Sequence, residues 1–179
     1  MRLLVAAAIV VLVAACKRPE SPPVGAAKNT LADSADQILF NARFVITDKG
    51  LRRADIDGDT AYFFHDNTLL VMTPLRMKAY SSNGALDGIV TARMGVYDTR
   101  LAKLEASGDV VMNSLDGKRL ETPFARYDQR LDLISSDSAF YMSEPGRDIR
   151  GRGFRTDAGM NSFSVTTLLS SKPGRVTIP

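Results

Sequence analysis

One five-residue pattern, Tyr-Asp-x-Arg-Leu, occurs twice in this chain, at Tyr97–Leu101 and at Tyr127–Leu131, 30 residues apart. An extended stretch beginning at Thr91 or Thr122 leads into each copy. A second, Ala102 to Met112 or Asp132 to Met142, leads out, so that Met112 and Met142 keep the same spacing. The repeated unit is therefore two strands joined by a polar turn. A weaker relative begins at Gly58, where Ala61-Tyr62-Phe63-Phe64-His65-Asp66 precedes Leu69-Leu70-Val71-Met72 without the Arg-Leu pair. A period near 30 restricts the chain to architectures that repeat a small supersecondary unit unable to bury its own apolar face.

The rest of the chain keeps the same rhythm. Ile38 to Thr47 reads as a strand ended by Asp48-Lys49-Gly50, and Leu51 to Ile56 as a short strand closed by Asp57-Gly58-Asp59. Thr68 to Tyr80 contains Pro74, which has no N–H to give a ladder and predicts a bulge or an edge. Alternation along this segment places Leu69, Val71, Thr73, Leu75, Met77 and Ala79 inward. Further strands are expected at Ala85 to Arg93, Leu101 to Ala106, Val110 to Ser114, Leu120 to Tyr127, Leu131 to Ser135 and Ala139 to Ser143. Ile149 to Arg155 and Val165 to Leu169 complete the series. Gly151 and Gly153 share one face where backbone approaches closely. Only Ala32 to Gln37 suggests a helical turn, and nothing from Ile38 onward supports a long amphipathic helix. Short strands at this spacing mean an all-β sandwich, jelly roll or barrel-like solenoid.

The polar residues argue against catalysis. His65 is the only histidine and sits in a turn with Asp66 and Asn67. There is no phosphate-cradling glycine loop followed by lysine, no nucleophile elbow and no recognisable triad. Asp57 and Asp59, or Asp98 and Asp128, lack the dense oxygen spacing of a calcium loop and read as turn caps. Tyr97 and Tyr127 read as structural corners, ring packed and hydroxyl wet. Arg147, Arg150, Arg152 and Arg155 form the densest positive run, either a solvated strand face or a phosphate contact at one mouth of the domain.

The amino-terminal end bears on placement. Met1-Arg2 precedes thirteen apolar residues, Leu3 to Ala15, and then Cys16. That run is shorter than the roughly 20 residues needed to span a bilayer, and it has the form of a secretory signal. Leu12-Val13-Ala14-Ala15-Cys16 resembles the bacterial lipoprotein processing box, which implies cleavage before Cys16 and a diacylglyceryl group on its thiol. Cys16 is the only cysteine, so no internal disulfide or multi-cysteine metal site is possible. Cleavage leaves roughly 160 residues, enough for one domain with a core. The formal net charge is +3, and loss of Arg2 lowers it by one, which gives no reason to propose a nucleic-acid partner. The expected organisation is a signal peptide over 1–15, a lipidated cysteine and Pro-rich tether over 16–34, a β-domain over 35–169 and a tail over 170–179.

The lipobox-like start, the two Thr-to-Tyr-Asp repeats, Glu105-Ala106-Ser107-Gly108-Asp109-Val110-Val111, Leu120-Glu121-Thr122 and Ser135-Ser136-Asp137 together resemble the LptC family of lipopolysaccharide transport. The wider group includes LptA and the amino-terminal part of LptD. The resemblance runs from about Ala35 to Phe163. It implies an antiparallel, twisted β-jelly roll with open edges, whose apolar interior shelters acyl chains. It also implies a non-enzymatic component without cofactor or metal. Such a component receives lipopolysaccharide from the inner-membrane ABC exporter and passes it to an LptA-like periplasmic bridge. Val71, Leu75, Met77, Val90, Leu104, Phe124, Leu133 and Phe140 are the expected acyl-chain contacts, with Arg126 facing outward. Many members carry an amino-terminal transmembrane helix where this chain has a lipobox. The expected place is the periplasmic side of the inner membrane, through a lipid anchor. Lys17 is not the aspartate that commonly retains lipoproteins there, so outer-membrane anchoring stays open. A sheet lined by Leu, Val, Met and Phe serves as a greasy trough or as an ordinary core, and the competing expectation is a structural or interaction lipoprotein with a closed core.

Overall fold

A computed structural model describes residues 30–173. The expected signal over 1–15, Cys16, most of the expected tether and the last residues of the expected tail lie outside them. A short helix, α1 (Thr30–Ser34), precedes eleven strands. These are β1 (Gln37–Asp48), β2 (Leu51–Phe64), β3 (Leu69–Thr73), β4 (Leu75–Tyr80), β5 (Leu86–Ala92) and β6 (Met94–Asp98), followed by β7 (Lys103–Ser114), β8 (Arg119–Asp128), β9 (Leu133–Glu144), β10 (Arg147–Thr156) and β11 (Ser164–Pro173). All pairings are antiparallel and join them into one sheet. β3 with β4, and β5 with β6, are halves of single bent strands. β3 and β4 both pair with β2, and β5 and β6 both pair with β7. The topology is thus a meander in which each strand lies beside the next in sequence, an all-β fold of jelly-roll kind.

The strands bend at matching points along their length. Asn41 takes a left-handed conformation (φ 52°) in β1. Pro74 interrupts the ladder between β3 and β4, and Arg93 separates β5 from β6. In β7 the register shifts between Ser107 and Val110, where Gly108 (φ 75°) and Asp109 (φ 50°) are both left-handed. β8 shifts between Glu121 and Arg126, and β10 between Arg152 and Phe154, at Gly153 (φ 70°). Such bulges bend a strand and raise its twist, and here they line up from strand to strand into one crease. The sheet folds along it into two facing arms. Asp57-Gly58-Asp59 and Ser107-Gly108-Asp109, expected to end strands, instead lie inside β2 and β7 at this crease. A turn-forming composition there marks a bend, because the backbone hydrogen bonds resume on its far side.

One face of each arm is apolar. The first arm carries the repeat turns, and a row crosses it through Phe63, Leu70, Tyr97, Leu104, Tyr127 and Ile134. In the second arm, Phe44, Ile56, Met77, Val90, Met112, Leu120, Met142 and Ile149 stand opposite one another strand by strand. The two rows close on each other as one core. At roughly 1.5–3 kcal/mol per buried large apolar side chain, this face holds the arms together. β1 pairs only with β2 and β11 only with β10, so both ends of the sheet keep an unpaired backbone edge. β11 runs on to Pro173, past the expected last strand residue Leu169.

Candidate functional site

The candidate site is the space between the arms. It is filled by the protein's own side chains: Ile56, Met72, Leu75, Met77, Leu104, Met112, Leu120, Ile134, Met142, Phe154 and Met160 are all fully buried. Methionine dominates it. Met72, Met77, Met112, Met142 and Met160 are core residues, and Met94 is the one methionine of residues 30–173 outside it. A methionine side chain is unbranched, turns about three bonds and repacks around irregular neighbours more readily than a β-branched one. A core built this way can rearrange around a flexible apolar guest at lower cost than one built from valine and isoleucine.

The repeat supplies the corners of the first arm. The Asp98 carboxylate accepts the N–H groups of Arg100 and Leu101, both at 2.9 Å. Asp128 does the same for Arg130 at 3.0 Å and Leu131 at 3.3 Å. Ala102 and Asp132, at matching places after the turns, are both left-handed. Both carboxylates are thus turn caps. The tyrosine rings lie in the same inward row, with Tyr97 donating to Gln129 Oε1 at 3.0 Å and Tyr127 to Asp132 Oδ1 at 3.1 Å. Burial first, and then the Asp132 charge, push the Tyr127 hydroxyl well above its usual range, so it remains a donor. Phe63 and Leu70 pair as Tyr97 pairs with Leu104, so the weaker relative is a third copy in the fold. Its turn differs, with His65, Asp66 and Asn67 all left-handed and exposed.

The two ends of the interior differ. Near β1 the arms diverge around a cavity of about 310 Å³ lined by Phe44, Ile46 and Ile56 from the second arm and by Phe63, Leu70 and Tyr97 from the first. Near β11, Phe140 meets Phe154 edge-on at 5.4 Å and Phe163 at 5.6 Å, while Phe154 and Phe163 stack at 5.9 Å. This aromatic group fills that end. Between the ends, the free margins of the arms meet along a seam. Arg53 of β2 forms an ion pair with Asp132 in the β8–β9 turn. At Gly88 in β5, a Cβ would lie 2.3 Å from the Ala158 carbonyl oxygen, so only glycine lets the β10–β11 loop come this close. The Asp87 carboxylate accepts the Gly159 N–H. Burial, and next the nearby Asp157 charge, raise its pKa above the usual carboxylate range. Asp55 lies on the other face of β2, opposite Lys78. Burial alone would raise it, but the Arg52 guanidinium and the Tyr80 hydroxyl outweigh that and hold it low.

The family model described as lipopolysaccharide-assembly, LptC-related, matches residues 3–170. The chain belongs to the LptC family. A comparison with curated proteins returns no match. LptC family members are non-catalytic components of the lipopolysaccharide-transport machinery of the periplasm, in outer-membrane biogenesis. Among the described residues no group of three or more His, Cys, Asp or Glu is placed to hold a metal ion, and no helix is long and apolar enough to cross a membrane.

Within this LptC chain, five of the eight residues expected to contact acyl chains, Leu75, Met77, Val90, Leu104 and Phe140, belong to the central core. The other three lie on the outer face. Val71 is buried there in the row of Tyr62 and Val96. Leu133 pairs with Asp128 on the outer face of its arm. Phe124 is half-buried on the same face as Arg126, whose guanidinium lies 5.6 Å from its ring centre. A bulge accounts for Val71 and for Phe124, whereas Leu133 neighbours Ile134 and is out of phase with Phe140 on the same strand, so simple alternation places it outside. Alternation through Pro74 places Val71 with Leu75, but the bend shifts the phase, so Leu70 and Met72 point inward instead. The bulge in β8 similarly turns Ala125 and Tyr127 inward and Phe124 outward. Among the fully buried inward residues missed were Ile56, Met72, Met112, Leu120, Ile134, Met142, Phe154 and Met160. The matched spacing of Met112 and Met142 was the available signal, since both pair with Leu120. Arg150, Arg152 and Arg155 are exposed on the outer face of β10, with Arg150 over the Tyr141 ring, while Arg147, exposed at the start of the strand, pairs with Glu144 at 2.5 Å.

Proposed function

We propose that this chain accepts lipopolysaccharide from the inner-membrane ABC exporter at its β1 edge and passes it from its β11 edge to an LptA-like periplasmic protein, with the acyl chains held between the arms. One observation carries this reading: in a member of the LptC family, a single apolar face runs from β1 to β11 inside a sheet whose two edge strands are both unpaired. Unpaired edges take up strands of a neighbour, and strand addition continues both the sheet and its apolar interior into the partner. Leu75, Met77, Val90, Leu104 and Phe140, joined by Met112, Leu120 and Met142, are the proposed acyl contacts. No bond is made or broken; the exporter's ATPase drives the transfer. Lipidation of Cys16, with residues 16–34 as tether, would hold the domain at the periplasmic side of the inner membrane.

The filling of the interior by side chains favours a second reading, a structural lipoprotein with a closed core. Photoreactive residues separate the two. Placed at Met77 and Met112, they should capture lipopolysaccharide only when the exporter is supplied with ATP. Placed near Ile38 and along Val165 to Leu169, they should capture the exporter and the LptA-like protein respectively. A core that captures no lipid at either position supports the closed-core reading, and LptA capture indifferent to disruption of β11 reverses the assigned polarity.

A further inference from the structure

We propose that Arg53 is an anion site for the headgroup of the transported lipid, and that the ion pair with Asp132 is a latch whose carboxylate gives way to a cargo phosphate when the seam opens. This rests on the lipopolysaccharide-transport reading and adds to it where the arms part and what holds the headgroup.

The seam joins strands that are not neighbours. β7, β5 and β4 lie between β8 and β2 in the sheet, and β9, β8 and β7 between β10 and β5, yet Arg53 reaches Asp132 and Asp87 reaches Gly159. Both contacts therefore span the fold from one arm to the other. At the crease the arms are one continuous backbone and cannot separate. The free margin is the side that can open without breaking strand pairing. A lipid whose acyl chains lie inside has a saccharide too large and polar for this interior, so its headgroup must leave through that margin.

The two partners of the latch are unequal. The Arg53 side chain is 10% exposed, whereas that of Asp132 is 43% exposed and its other oxygen accepts from the Tyr127 hydroxyl. When the margins part, Asp132 moves into water, where a carboxylate is well solvated. Arg53 stays at the mouth of the apolar interior, where an unpaired guanidinium is costly. A phosphate emerging with the acyl chains meets that need, and the planar guanidinium fork matches phosphate geometry.

The test uses the full chain with the exporter in proteoliposomes. Asp87→Cys with Gly159→Cys staples the seam by a disulfide while Arg53 and Asp132 remain. The stapled form is expected to load lipopolysaccharide about tenfold more slowly than the same protein after reduction, because the open state is then denied to the cargo. Recovery on reduction shows that the variant is folded. Arg53→Gln, checked for an unchanged melting temperature, also removes the latch and so changes opening for both lipids alike; the ratio of phosphorylated to dephosphorylated lipid A loaded is expected to fall about tenfold from its wild-type value, the worth of one charge-assisted hydrogen bond. Equal rates for stapled and reduced protein overturn the gate, and an unchanged ratio of the two lipids overturns the phosphate site. Failure of the wild-type chain to load either lipid defeats instead the transport reading on which both depend.

Discussion

At Gly151 the Phe140 ring and the Thr167 carbonyl oxygen each lie 2.7 Å from where a Cβ would stand. Gly151→Ala is expected to cost about 1–3 kcal/mol through overpacking, measured by denaturant unfolding, because the carbonyl belongs to the β11 backbone and cannot swing aside. Asp87 behaves in the opposite sense. Its folded pKa is raised, first by burial and then by Asp157, so the fold favours the protonated acid. The stability this group contributes is present below the unfolded carboxyl value of about 3.9 and is lost as pH rises through the folded pKa. Asp87→Asn keeps an acceptor for the Gly159 N–H and removes the charge. Its melting temperature should exceed that of the wild type at pH 7, with the gain disappearing near pH 4 as Asp87 protonates. A wild-type advantage at neutral pH would show that the charge at Asp87 is stabilising.

Single strands are read by their two faces. In β7, Met112 is fully buried between arms, whereas in β8 Phe124 stands outside beneath Arg126. Met112→Asp is expected to abolish cooperative unfolding, since an unpaired carboxylate in this core has no partner. Phe124→Asp should leave a folded domain, and it adds an acidic partner beside Arg126. Circular dichroism melts of the two variants check the assignment, and equal loss in both would mean that the β8 bulge does not invert the face. The edge strands make a further demand. Leu39, Phe40 and Val45 on β1 and Leu168 and Leu169 on β11 are exposed apolar residues. A strand with unpaired amides and apolar side chains pairs readily with others. Thr167→Pro removes an N–H from β11 and is expected to weaken capture of the LptA-like protein while leaving capture of the exporter at β1 unchanged.

The whole molecule combines a folded sheet with an amino-terminal segment outside the described residues. If Cys16 carries lipid, intact-mass measurement on membrane-extracted protein will show loss of residues 1–15 and added acyl mass. Cys16→Ser will then move the protein from the membrane to the soluble periplasmic fraction, since each buried methylene of an anchor contributes about 0.8 kcal/mol. A mature chain that still begins at Met1 would exclude the lipoprotein assignment. Fractionation of the wild type between inner and outer membranes decides which one holds it.

The amino-acid sequence by itself determined the all-β character, the strand-turn-strand repeat and the family. Each of these is written in local chemistry: alternation, turn residues, and an aspartate placed to cap two amides, as at Asp98 and Asp128. It also showed that no catalytic constellation accompanies the fold. Tertiary structure alone decided which face of each strand is inside. A bulge adds a single residue and inverts every assignment beyond it, and this separates Val71 from Leu75 and places Phe124 beside Arg126. The crease was likewise hidden, because Gly58 and Gly108 look the same in sequence whether a strand ends there or bends and continues. Arg53 and Asp132 lie 79 positions apart. Nothing local distinguishes them from other surface charges, and their meeting depends on the angle at which the whole sheet closes on itself.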